Sequence, residues 1–154
     1  MELTVLKSKG YDLDIFKKDE KIFYSKLKRS WLKKSIEIFN EVSEKLIEIK
    51  YGGFFKPKYE IIFQNEISKL KIESIVNDET LLNNSTKIIR NKELFTFKNK
   101  SEYFLDGKKI ATSEEKLWVW KRKLIIDLED LNSELLNVLA IIILTYESEV
   151  RVED

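Results

Sequence analysis

The pattern of apolar and polar positions changes character once along the chain, near Asp130. Before it, apolar residues come in short runs rich in β-branched and aromatic side chains, separated by charged or polar turns. After it, Leu135-Leu136-Asn137-Val138-Leu139-Ala140-Ile141-Ile142-Ile143-Leu144 holds nine apolar residues in ten. At about 100° per residue, such a run leaves a helix without a polar face, and a helix of that kind is buried in protein or sits in lipid. At ~1.5 Å per residue the run reaches only ~15 Å, whereas a membrane span needs ~20 apolar residues. The pattern therefore predicts a helix from Ser133 to Val150, enclosed by the rest of the chain.

The first part of the chain supplies the enclosure. Ile36 and Ile38 alternate with Ser35, Glu37 and Phe39, and Ile47, Ile49 and Tyr51 alternate with Leu46, Glu48 and Lys50. A period of two is the mark of a strand, because successive side chains point to opposite faces. Further runs cover Leu3–Leu6, Leu13–Phe16, Lys21–Ser25, Lys58–Gln64, Lys69–Val76, Thr86–Asn91, Leu94–Lys98, Glu102–Leu105, Lys109–Ser113, Leu117–Lys121 and Lys123–Leu128. Asp106-Gly107 between two of them is the strongest hairpin signal, since both residues tolerate positive φ. About a dozen strands must close or stack to hide their edges. A sandwich offers the helix nowhere to bury its whole circumference, and a lipocalin-like barrel carries an amphipathic helix outside. The expectation is a mainly β fold, an antiparallel closed barrel of about twelve strands around a central hydrophobic C-terminal helix. No repeat or linker divides the chain, so residues 1–154 form a single domain. Asn132 or Ser133 suits the helix N-cap, with Asp127, Glu129, Asp130 and Glu134 near its positive end. Glu147, Glu149, Glu153 and Asp154 read as a solvated acidic tail.

From Glu93 onward the order is Phe95-Thr96-Phe97, then Tyr103-Phe104-Leu105-Asp106-Gly107-Lys108-Lys109-Ile110-Ala111, a Trp-rich strand, Ile125-Ile126-Asp127 and the apolar helix. This ordered set resembles the tubby C-terminal-like superfamily, in particular its LURP-one-related and phospholipid-scramblase-like branch. The resemblance implies a twelve-stranded antiparallel barrel around a C-terminal core helix. The cysteine cluster and calcium-binding acidic segment of scramblases have no counterpart here.

Composition narrows the chemistry. The 154 residues are 43% hydrophobic and 36% charged with a formal net charge of +1, a globular balance with no global field toward nucleic acid or lipid. There is no Cys and no His. That removes disulfides, thiolate chemistry, every Ser/His or Cys/His dyad and the commonest transition-metal ligand. No Gly-rich phosphate cradle is present either. The expectation is a non-enzymatic protein with no cofactor and no metal site. The N-terminus lacks the apolar segment of a signal peptide, and the reading is cytoplasmic with no transmembrane span.

One stretch stands out as a candidate site. Lys26-Leu27-Lys28-Arg29-Ser30-Trp31-Leu32-Lys33-Lys34 carries five cations, no acid and a central indole. Near an anionic membrane each Lys or Arg contributes ~1 kcal/mol, and a Trp anchors at the interface. Tubby proteins bind phosphoinositide headgroups from an early basic inter-strand loop, and by order along the chain the stretch with Lys26, Lys28, Arg29, Trp31, Lys33 and Lys34 occupies a similar place without matching that loop residue by residue. The functional expectation is a binding module for anionic phospholipid headgroups; the alternative is a protein–protein interaction or structural domain with no lipid ligand. Lys121-Arg122-Lys123 follows Trp118 and Trp120, which would share one strand face as ordinary barrel packing. A nucleic-acid platform is disfavoured by the near-zero charge. Gly52-Gly53-Phe54-Phe55-Lys56-Pro57-Lys58 reads as a turn folded back over the core, the alternative being a tip that dips into a membrane or binds a partner. The early carboxylates Asp12, Asp14, Asp19 and Glu20 would have to face one another across a cleft to do acid–base work.

Overall fold

The computed structural model describes residues 1–29, 33–52, 58–93, 100–118 and 121–150, with side chains at all of these except 116–118, 121–124 and 149–150. Twelve strands precede one helix: β1 (Glu2–Lys7), β2 (Leu13–Lys17), β3 (Glu20–Arg29), β4 (Lys34–Asn40), β5 (Lys45–Gly52), β6 (Lys58–Gln64), β7 (Ile72–Val76), β8 (Glu79–Leu82), β9 (Lys87–Lys92), β10 (Lys100–Leu105), β11 (Lys108–Trp118), β12 (Lys121–Leu128) and α1 (Ser133–Val150). They form one sheet in the order β6-β5-β4-β3-β2-β1-β12-β11-β10-β9-β8-β7. Every strand pairing among the described residues is antiparallel, and the first and last strands meet where Leu3 faces Ile126 and Val5 faces Leu124. The result is a nearly closed barrel, mainly β, with the C-terminal helix at its heart.

Alternation decides what faces inward. Leu3 and Val5, Leu13 and Ile15, Ile36 and Ile38, and Ile47 and Ile49 are all buried, and the residues between them face out. Asp106 and Gly107 both adopt positive φ, 46° and 85°, in the two-residue turn that pairs Leu105 with Lys108. The helix begins where the Asn132 side chain accepts a hydrogen bond from the Leu135 N–H at 2.9 Å, which satisfies one orphan donor of its first turn. From Val138 to Ser148 every residue is buried. Burial of each aliphatic side chain in that run is worth ~1.5–3 kcal/mol. Thr145 needs no outside partner, because its hydroxyl donates to the Ile141 carbonyl at 2.7 Å.

The sheet's two edges, β6 and β7, meet as a seam. Gln64 behaves there like a peptide unit: its Nε2 donates to the Ile72 carbonyl at 2.9 Å and its Oε1 accepts from the Ile72 N–H at 2.8 Å.

Four sequence expectations need correction. The strand β8 is absent from the pattern because four residues between two turns are too few to show alternation. Leu117–Lys121 is not one strand: Trp118 and Lys121 face each other as the last pair of β11 and β12, and Val119 and Trp120, on which the expected shared face depends, lie outside the described residues. Lys69–Val76 is shortened to Ile72–Val76 because side chains capture the backbone before it. Lys69 N–H donates to Glu134 Oε1 at 2.8 Å, and Lys71 N–H to Asn83 Oδ1 at 3.1 Å. Glu147 belongs to no solvated tail, being only 5% exposed; the helix runs a further turn inside the barrel beyond its apolar stretch. Glu149 has no described side chain, and Glu153, Asp154 and the run Leu94–Lys98 lie outside the described residues.

The core helix supplies a direct test. Ile142, 1% exposed, carries no space for a charge, so Ile142→Asp should cost on the order of 4 kcal/mol or more. Urea denaturation followed by circular dichroism checks this, and a variant as stable as wild type would mean that the helix is not enclosed.

Candidate functional site

Strict up-and-down order puts alternate connections at the same end of the barrel. The β1–β2 turn, the β3–β4 connection and the β11–β12 turn therefore share one end. Because β4, β3, β2, β1, β12 and β11 are neighbours in the sheet, the three are also side by side.

Local bonds fix the first two together. Asp12 Oδ1 accepts from the Leu27 N–H at 2.9 Å, joining the β1–β2 turn to the end of β3. The turn itself closes through Ser8 N–H to Asp12 O and Asp12 N–H to Lys9 O, both 2.9 Å, with Gly10 at φ 58°. On this frame the Lys7 ammonium lies 5.6 Å and the Arg29 guanidinium 5.1 Å from the centroid of the Tyr11 ring. Both are within cation–π range. Arg29 in turn faces Lys34 as the last cross-strand pair of β3 and β4.

The same alternation divides the basic stretch that the sequence presents as one unit. Lys26 and Lys28 are strand residues on the outer wall, with Ser25 buried between the aromatic Tyr24 and Lys26. The Lys26 ammonium sits 5.6 Å from the Phe39 ring, which stacks on Tyr24 at 4.9 Å. Lys28 is bonded to Glu37 at 2.8 Å. Glu37 also takes Lys45 at 3.0 Å, and Lys45 pairs with Glu48. Arg29, Lys33 and Lys34 remain at the barrel's end, and Trp31 lies outside the described residues. The rim gains Lys7, Lys9 and Tyr11, which sequence reading did not select. The Lys7-Ser8-Lys9-Gly10 turn was visible as basic, and meander order alone would have set it beside the next basic connection but one. Lys121, Arg122 and Lys123 start β12 at this end as well.

The remaining candidates resolve simply. Asp12 is engaged with Leu27, and Asp14 lies 3.9 Å from Lys21. Of the Gly52–Lys58 tip only Gly52 and Lys58 are described, each at a strand end. Among the described residues no group of three or more acids could hold a metal ion, and no helix is long and apolar enough to cross a membrane.

Below the rim, the last turns of α1 are held by a polar cluster. Arg90 lies 3.7 Å from the Tyr146 ring centroid and bonds Asp78 through Nε at 2.8 Å and Nη2 at 2.6 Å. The Tyr146 hydroxyl donates to the Asn77 carbonyl at 2.9 Å. Burial, reinforced by the Glu147 carboxylate, pushes the Tyr103 phenol above its ordinary range, with Arg90 opposing both.

No family model matches the chain, and comparison with curated proteins and with solved structures found no match.

Glu37 provides the electrostatic test of the outer wall. Burial works against its ionised form, but hydrogen bonds from Lys28 and Lys45, with their charges, outweigh it and hold the carboxyl below its usual 4.5. A depressed folded value means stabilisation that is present above the unfolded value and lost as pH falls through the folded one. Lys28 is 62% exposed, so its share is screened and Lys45 contributes more. Glu37→Gln should cost about 1–3 kcal/mol at neutral pH, and the gap to wild type should close in acid. Urea midpoints measured across that range check it; a gap independent of pH would mean that Glu37 acts through packing alone.

Proposed function

We propose that the protein is a non-enzymatic binding module that recognises anionic phospholipid headgroups through the basic rim. The supporting observation is the side-by-side arrangement of three connections rich in Lys and Arg. Across residues 7–12, 29–34 and 116–123 the one acid is Asp12, and its carboxylate is engaged with Leu27. The same stretches hold all three tryptophans of the chain, Trp31, Trp118 and Trp120, a residue type suited to the headgroup region. Fixed cations with aromatic neighbours serve capture of an anion without acid–base chemistry. Strand number and the central helix agree with the tubby-like resemblance, and a cytoplasmic setting fits, since the cytoplasmic leaflet carries the anionic lipids.

The site on this reading is Lys7, Arg29, Lys33 and Lys34 rather than the whole Lys26–Lys34 stretch. Neutralising those four to Gln removes up to ~4 kcal/mol at ~1 kcal/mol per cation, about a thousandfold in affinity. Co-sedimentation with phosphatidylcholine vesicles, with and without phosphatidylserine, should show binding only to the anionic ones and its loss in the variant. Neutralising Lys17, Lys18 and Lys108 at the opposite end is the control and should leave binding in place. Equal loss in both variants would mean attraction to charge rather than a site. A second reading, a protein interaction module, is favoured by Ile62 and Phe63, exposed on the edge strand β6. Absence of vesicle binding by wild type at low salt would put that reading first.

A further inference from the structure

At the end of the barrel away from the basic rim, the first turns of α1 leave a cavity of about 300 Å³ against the β4–β5 turn, the end of β6 and the connection 65–71. This matches the lower end of the ~300–1,000 Å³ range of small-molecule sites. Leu46, Leu70, Val138 and Ile141 give it apolar walls.

Its polar surroundings are already fastened. Asn65 donates from Nδ2 to the Lys45 carbonyl at 3.0 Å and accepts from the Ile67 N–H at 2.8 Å. Gln64 is engaged at both ends with Ile72, and Glu134 accepts from the Lys69 N–H. These bonds tie the connection to β5, β7 and α1, so the cavity is formed before any ligand arrives.

Ser133, which is exposed, and Asn137 are the polar lining side chains with no such bond among the described residues, and the more enclosed of them is Asn137. It is the one interruption of the apolar run Leu135–Leu144, it lines the cavity, and no hydrogen bond holds its side chain among the described residues. A carboxamide offers two donors and an acceptor, and a half-buried one in an otherwise apolar helix gains from a partner supplied by a ligand. The charges around the cavity are those of Glu44 and Glu134, with no Lys or Arg in the lining. That composition selects against an anion.

We propose that this cavity binds a small neutral molecule with an apolar body and one amide or hydroxyl group, which pairs with the Asn137 carboxamide. The site is independent of the basic rim.

Acetanilide, an apolar ring with a single amide, is a suitable probe, and benzoate is its anionic counterpart of similar size. In a ¹H–¹⁵N correlation titration of the full chain, acetanilide should give saturable shifts at the Asn137 side-chain amide and at the backbone of Leu46, Leu70 and Val138. Benzoate should not. Asn137→Leu should weaken acetanilide by roughly tenfold, the loss of one hydrogen bond, with a dispersed spectrum retained. Leu70→Trp, which fills the cavity from the connection, should abolish binding and serves if the helix variant misfolds. Wild-type shifts confined to other surfaces, no shifts at millimolar acetanilide, benzoate binding as tightly, or unchanged affinity in a folded variant would each overturn the proposal.

Discussion

A helix without a polar face can be sheltered only by a wall that goes all the way round it. That requirement governs the molecule. The twelve strands form one sheet whose edges, β6 and β7, are not paired as strands and are bridged at a seam by side chains instead. The helix is also the fastener of that seam. At its start Glu134 holds the Lys69 N–H of the connection between β6 and β7. Near its end Tyr146 donates to Asn77 beyond β7 and meets the Tyr59 ring of β6 edge-on at 6.3 Å. Between those two points Gln64 bonds Ile72 across the gap. Filling and closure are therefore one interaction, and neither the open sheet nor the free helix is a reasonable state alone.

The cost of this arrangement falls on the polar residues drawn inside with the helix. Glu147 and Ser148 are buried, and the cluster of Arg90, Asp78, Tyr146 and Tyr103 surrounds that end of the helix. A buried charge is tolerated only where partners are close. Arg90 supplies much of that here, with its guanidinium on an aromatic face and its N–H groups on Asp78. The solution is local to the rim end, which leaves the opposite end of α1 free to border the cavity.

Periodicity makes the architecture readable in the sequence. The alternation around Ile36 and Ile47, the Asp106-Gly107 turn, the Asn132 cap and the unbroken apolarity after Leu135 each report a backbone state through neighbours in sequence. What escaped was set by distance or by short length. β8 is too brief for a period, and the strand-forming composition of Leu117 to Lys121 hides the point where β11 gives way to β12. Glu147 looked like tail because acidity near a C-terminus usually means solvent, and only the depth of the barrel says otherwise. In the basic stretch composition joins Lys26 to Lys34, while the two-residue period of β3 puts Lys26 and Lys28 on the wall and Arg29 at the rim.

That division also shows how a chain of net charge +1 can carry a strongly basic surface. Lys28 and Lys45 are matched by Glu37 and Glu48 on the wall, so they add structure and little outward field. Lys7, Lys9, Arg29, Lys33 and Lys34 stand where the strands end, in stretches whose one carboxylate is tied to a backbone N–H. Lys28 and Lys45 are held by carboxylates of the wall, whereas the cations at the strand ends are not among the buried core residues. The rim can therefore be changed without disturbing the helix or its seam, and a loss of binding from rim substitutions reports on recognition, not on the stability of the barrel.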